Sequence, residues 1–212
     1  MFNDQNKISF PIKLFGYIKN LEKGFEKIPD GRKNKLLLFS KYLSEKLKKG
    51  EDPTITVICT HNSRRSHIGQ IWLKTAAIFY GKDNIRVFSG GTEATAFHPN
   101  AVNALRKVGF DIKKTGDSDN PFYECEIGTG GPVLILFSKK YEDDRNPQKD
   151  FAALMVCNEA DEACPVVIGA EARFPITYKD PKAFDGTDQE EEKYLERVEQ
   201  IGREMFFVIS QI

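Results

Sequence analysis

The chain has 212 residues, 40% of them hydrophobic, with 31 Lys and Arg against 31 Asp and Glu. That length suits one well-buried α/β core plus an extension, and the zero formal charge supplies no global field for nucleic acid or an anionic membrane, so anion affinity must come from a local site. Four cysteines make no disulfide scaffold at this length, no apolar run approaches a membrane span, and Met1-Phe2-Asn3-Asp4-Gln5-Asn6-Lys7 lacks the basic and apolar regions of a secretory signal; the expectation is a cytoplasmic protein with neither nucleic acid nor membrane as partner.

In residues 1–53, Leu14, Ile18, Leu21 and Phe25, then Leu36, Leu37, Phe39, Tyr42, Leu43 and Leu47, recur at helical spacing. Asp30-Gly31 reads as a turn between the two patterns. This block is expected to be an N-terminal helical extension, a hairpin capping a catalytic domain of residues 54–212.

Thr54-Ile55-Thr56-Val57-Ile58 is a strand-like run, and a helical pattern extends from His67 to Tyr80. Between them lies Cys59-Thr60-His61-Asn62-Ser63-Arg64-Arg65-Ser66. A strand feeding a tight loop and then a helix lets successive backbone N–H groups and the helix's positive end converge on one tetrahedral anion, such as phosphate or arsenate. The same field favours thiolate over thiol and makes Cys59 a candidate nucleophile. The planar fork of Arg65 can donate two parallel hydrogen bonds to the anion, which Lys could not do with that geometry. Ser66 can donate to the sulfur, and Asn62 suits a left-handed loop conformation. The bland alternative is a buried cysteine ending a strand beside two solvated arginines; the Ser behind Arg65 and the immediate helix outweigh it.

Ile85–Ser89 reads as a strand and Pro99–Val108 as a helix, with Pro99 in its first turn and Gly109 past its end. Residues 116–132, rich in Gly, Asp and Pro, and 138–150, rich in charge, read as loops. Val133–Phe137 and Ala152–Val156 are short apolar runs of strand type, and a long helix is expected from Asp188 to about Ile209. This alternation implies α/β architecture, a parallel sheet with helices on both faces, with ligands at the carboxyl ends of the strands. Cys59 stands at one such end. Cys157 ends a strand-like run, and Cys164 follows with Pro165 behind it. Two thiols on a short polar segment could meet if it coils; unrelated cysteines or a metal pair are the rivals. Their spacing is not that of zinc knuckles, and the chain has only three histidines, though Cys125 could add a ligand. Asp180-Pro181, taken alone, is a common turn.

The loop from Cys59 resembles the Cys-x5-Arg-Ser/Thr signature of the low-molecular-weight protein tyrosine phosphatase superfamily, which also contains the thioredoxin-coupled arsenate reductases. His61 stands where that family often has Gly, and Arg64 where it often has a second Cys. The likeness continues in order through Ser89-Gly90-Gly91-Thr92-Glu93-Ala94, His98-Pro99-Asn100-Ala101-Val102 and Gly109-Phe110-Asp111-Ile112. It covers most of residues 54–207, with a longer loop over 120–150. Asp180-Pro181 resembles the family's acid loop, whose carboxyl protonates the leaving oxygen. Lys182, Ala183 and Phe184 stand where phosphatases usually carry a tyrosine pair, and the run from Phe184 to Lys193 is more similar to the reductases.

The segment from Cys157 to Cys164-Pro165 resembles the reductases' Cys-x6-Cys-Pro element. The resemblance implies a relay: Cys59 attacks arsenate, Cys157 attacks Cys59 and releases arsenite, and Cys164 takes over the disulfide for thioredoxin to reduce. Cys125 has no role in it, and no metal or cofactor is implied. Cys157 is then expected on the same side of the sheet as Cys59. A second expectation is a phosphatase acting on phosphotyrosine proteins, with Cys157 and Cys164 protecting Cys59 from overoxidation. A third is a non-catalytic phosphoprotein-binding or redox-sensing module, against which the set Cys59, Arg65 and Asp180 argues.

Overall fold

The computed structural model describes residues 8–163 and 166–212. Its elements are α1 (Ile12–Lys23), α2 (Asp30–Lys48), β1 (Thr54–Cys59), α3 (Arg65–Phe79), β2 (Arg86–Gly91), α4 (Pro99–Val108), β3 (Asp111–Thr115), β4 (Phe122–Glu126), β5 (Val133–Leu136), β6 (Phe151–Met155), α5 (Asn158–Ala163), β7 (Ala170–Pro175) and α6 (Glu190–Ser210). Single 3-10 turns lie at Phe25–Lys27 and Pro181–Phe184.

The main sheet is parallel, ordered β2-β1-β6-β7, with helices on both faces. All six residues of β1 and all five of β6 are buried, the condition that selects their near-continuous apolar sequence. Packing is close where the helix behind the loop meets the sheet. A β-carbon on Gly69 would lie 2.9 Å from Val57 Cγ1, and one on Gly202 of α6 would lie 2.8 Å from the Trp72 ring, so both contacts exclude a side chain. Trp72 is fully buried and meets Phe206 and Phe110 edge-on.

Both N-terminal helices pack on α6, and Leu14, Ile18, Leu21, Leu36, Phe39 and Leu43 share one core with β1, α3 and α6. Arg32 donates to Glu204 at 2.7 and 2.9 Å and lies over the Tyr178 ring at 4.7 Å, a part-buried charge pair joining α2 to α6. The turn expected at Asp30-Gly31 is instead the first turn of α2; the chain breaks earlier, over Gly24–Pro29. Pro29 sits where an entering chain needs an extended φ, and the Asp30 carboxylate suits a helix start.

A second difference concerns residues 116–132, read as loop, which contain β4. Strands β3, β4 and β5 form a separate antiparallel sheet. β4 alternates, with Tyr123 and Cys125 inward and Phe122 and Glu124 outward, but it spans only five residues amid Gly, Asp and Pro. The helix expected from His67 begins at Arg65, and the one expected from Asp188 begins at Glu190. Pro99–Val108 has the expected bounds, closed by Gly109 at φ 113°. Among the described residues, no helix is long and apolar enough to cross a membrane.

Candidate active site

Cys59 is the last residue of β1 and the loop from Thr60 to Arg64 leads directly into α3. The carbonyls of this loop are drawn outward by neighbours. Cys59 O accepts from Thr92 N, Thr60 O from Glu93 N, His61 O from Ser138 Oγ, and Ser63 O from His98 N, at 2.8 to 3.2 Å. Among the described residues no N–H of residues 60–64 donates to protein, so the loop keeps its donors for another acceptor. A β-carbon on Gly91 would lie 2.7 Å from Asn62 N, which is why the end of β2 must be glycine for the loop to fit.

Asn62 adopts φ 44° and is fully buried. Its Oδ1 accepts from Lys139 N at 2.9 Å, and its Nδ2 donates to Ser66 Oγ at 2.8 Å. The Ser66 oxygen, held by Asn62, lies 3.1 Å from the Cys59 sulfur, and toward a Cys59 thiolate the hydroxyl is the donor. The Arg65 guanidinium is buried: Nη1 donates to Tyr178 O at 2.8 Å, and Nη2 contacts Asp180 Oδ2 at 2.6 Å. Its Nε is buried with no protein partner. Asp180 caps the turn Pro181–Phe184 by accepting Lys182 N at 3.0 Å, which fixes the carboxyl facing Arg65.

Cys157 follows β6, beside β1 in the register Ile58 to Met155, and is fully buried. Its sulfur lies 3.4 Å from Thr60 Oγ1 and accepts from Ala160 N at 3.4 Å. Burial pushes this thiol's pKa up and the Cys59 charge adds to that; the bond to Thr60 and the charge of Arg65 oppose it. Thus Cys59, Ser66, Arg65, Asp180 and Cys157 lie together at the carboxyl ends of β1 and β6, Cys157 with its sulfur against Thr60. Cys164 lies outside the described residues. Cys125 is buried in β4, its pKa pushed up to about 12 by burial. Among the described residues, no three His, Cys, Asp or Glu side chains cluster to hold a metal.

His61 is at the rim, 3.4 Å from Glu93, and Arg64 turns into the protein toward Tyr194 and Asp185. Sequence reasoning missed the second layer. His67 is fully buried, 3.3 Å from Ser89 Oγ and stacked on Phe97, and burial, then the Lys139 charge, holds it well below its usual pKa and hence neutral. Lys139 and Ser138 come from the segment after β5, joined to the loop by contacts 77 residues apart that no local pattern encodes. Beside the loop, a cavity of about 320 Å³ is lined by His61, Ser63, Arg64, Thr95, His98 and Lys182 among others, without Phe, Tyr or Trp.

No protein-family model matches the chain. An arsenate reductase of Shouchella clausii is 30% identical over 144 residues, 68% of this chain and 85% of the relative. An arsenate reductase of Bacillus subtilis is 26% identical over 156 residues, 73% of this chain and 94% of the relative. Among solved structures, a low-molecular-weight phosphotyrosine phosphatase from Vibrio cholerae aligns with a TM-score of 0.51 at 15% identity, covering 75% of this chain and 95% of that one. The arginine phosphatase YwlE aligns with a TM-score of 0.52 at 15% identity, covering 74% and 94%. At such identities these two structures establish the shared fold.

Proposed function

The chain belongs to the low-molecular-weight protein tyrosine phosphatase superfamily, and from that premise we propose that it is an arsenate reductase working through a disulfide relay. Residues 54–212 are the catalytic domain in this reading, and α1 and α2 of the N-terminal extension cap it. The observation that carries the proposal is Cys157, a buried thiol in contact with Thr60 of the oxyanion loop, one residue after Cys59; the hydrolytic step itself requires no second thiol, whereas arsenate reduction does.

Arsenate sits in the loop on the free N–H groups, with the unpartnered Nε of Arg65 as a further donor. The Cys59 thiolate, oriented by Ser66, attacks arsenic; the displaced oxygen leaves as water with a proton from Asp180. The Cys157 thiolate then attacks the Cys59 sulfur. The S–S bond forms, the S–As bond breaks, and its electron pair stays on arsenic, which departs as arsenite. Two thiolates have supplied the two electrons. Cys164 attacks Cys157, freeing Cys59 and passing the disulfide to a dithiol protein of the thioredoxin type.

Phosphate ester hydrolysis by Cys59, Arg65 and Asp180 is the second reading, favoured by the acid held against Arg65. Lys182, Ala183 and Phe184, standing after Asp180-Pro181 where phosphatases usually carry a tyrosine pair, disfavour a phosphotyrosine ring as its substrate. The test is a parallel assay of one preparation for arsenate-dependent oxidation of thioredoxin and for aryl phosphate hydrolysis. The reductase reading expects the first activity, lost in Cys157→Ser. Efficient phosphotyrosine hydrolysis without arsenate reduction would replace it with the phosphatase.

A further inference from the structure

We propose that Arg64, Asp185 and Tyr194 form a clamp that fixes the acid-bearing turn on the oxyanion loop, making Arg64 a positioning residue for Asp180. The inference rests on reading Cys59, Arg65 and Asp180 as the reacting set. Its basis is a pairing of two consecutive arginines with the two ends of one turn. Asp180 and Asp185 flank Pro181–Phe184 as its two caps. Asp180 Oδ2 is held by Arg65 Nη2 at 2.6 Å, and Asp185 Oδ2 by Arg64 Nη2 at 2.9 Å.

The Arg64 end is built more fully than a surface ion pair requires. Arg64 Nε donates to Tyr194 Oη at 2.7 Å, and that hydroxyl donates to Asp185 Oδ1 at 2.7 Å, closing a ring of three charge-assisted bonds. The Arg64 side chain is 10% exposed, so water competes little for these bonds. His98 completes the enclosure: its ring stacks on Tyr194, its Nε2 lies 3.8 Å from Asp185 Oδ2, and its backbone N–H donates to Ser63 O.

The arrangement solves a conflict at Arg65. That guanidinium serves both the incoming oxyanion and the Asp180 carboxylate, so a turn held by Arg65 alone would loosen whenever the anion drew the fork away. Arg64 contacts neither Cys59 nor Asp180, and it holds the far end of the turn irrespective of what Arg65 binds. The acid therefore keeps its place while the anion is bound.

Arg64→Met strips the clamp but leaves Asp185 without its main partner, so the decisive variant is Tyr194→Phe, which keeps the ring and removes only the hydroxyl. Single-turnover oxidation of Cys59 by arsenate is measured in wild type, Tyr194→Phe, Asp180→Asn and the double variant, alongside the affinity for inorganic phosphate. Tyr194→Phe is expected to slow turnover roughly tenfold to hundredfold, the scale of a misplaced catalytic group, with phosphate affinity held within about twofold. In the Asp180→Asn background the same change is expected to cost less than about twofold, because the group it positions is already gone. Losses that multiply, or a loss of phosphate affinity equal to the loss of rate, overturn the clamp. If wild-type protein does not react with arsenate, the reductase reading falls and the same four-variant comparison on phenyl phosphate, whose poor leaving group requires the acid, decides the clamp. Inertness to both substrates removes the clamp with the reacting set.

Discussion

Replacing Asn62 by Ala probes the oxyanion loop at the residue that shapes it. Three contributions are lost together. Asn62 Oδ1 satisfies the N–H of Lys139, and leaving that buried donor bare costs about 1–3 kcal/mol. The bond from Nδ2 to Ser66 Oγ contributes about 1 kcal/mol. At φ 44° an alanine carries a left-handed penalty of about 1 kcal/mol that asparagine partly avoids. The sum, about 3–5 kcal/mol, is a large part of the total stability of a domain this size. Urea denaturation read by Trp72 fluorescence measures it. Asn62→Gly separates the terms: it loses the same hydrogen bonds but tolerates the backbone, so it is expected about 1 kcal/mol above Asn62→Ala. Ser66 also loses the amide that holds its hydroxyl beside Cys59, so both variants are expected to alkylate more slowly at Cys59 near neutral pH. A stability loss below about 0.5 kcal/mol for Asn62→Ala, or a glycine variant less stable than the alanine one, would refute this description of the loop.

Arg32→Ala strands the Glu204 carboxylate, 3% exposed, and is expected to cost about 3–5 kcal/mol in urea unfolding, whereas replacing both partners by Met should be far milder. Lys139 is pushed by burial from an ordinary 10.5 down to about 8, so between these values the unfolded chain carries a proton that the folded one lacks and stability rises with pH. Lys139→Met should therefore stabilise the protein by up to about 3 kcal/mol at pH 7, with the gain vanishing near pH 10.5; a gain independent of pH would contradict that. Gly91→Ala places a β-carbon 2.7 Å from Asn62 N and should abolish phosphate binding to the loop, as judged by isothermal titration. Asp180→Asn should slow aryl phosphate hydrolysis by about 10²-fold to 10⁴-fold, and less for good leaving groups; an equal loss for all leaving groups would mean a structural role.

Elements governed by local chemistry were legible in the residues themselves. β1 shows the β-branched, largely apolar run of a strand buried on both faces, and α4 is bracketed by Pro99 and by Gly109 in a left-handed conformation. The spacing from Cys59 to Arg65 likewise reflects a strand, a loop and a helix start, all local. Features set by distant partners were not legible. Nothing near Arg64 in sequence announces Tyr194, 130 residues on, and nothing near Asn62 announces Lys139. β4 was hidden because five alternating residues among glycine and aspartate carry too weak a period. Asp30-Gly31 misled because the pair suits a turn, while Pro29 before it starts a helix equally well.

The relay from Cys59 to Cys157 is tested most directly in Cys164→Ser, which removes the thiol that would pass the disulfide on. The variant is exposed to arsenate without any reductant, released arsenite is quantified, and disulfides are mapped by peptide mass under non-reducing conditions. One arsenite per protein chain and a single disulfide between Cys59 and Cys157 is the expected result. Arsenite release without that bond, or a disulfide joining Cys125 to either thiol, would contradict it.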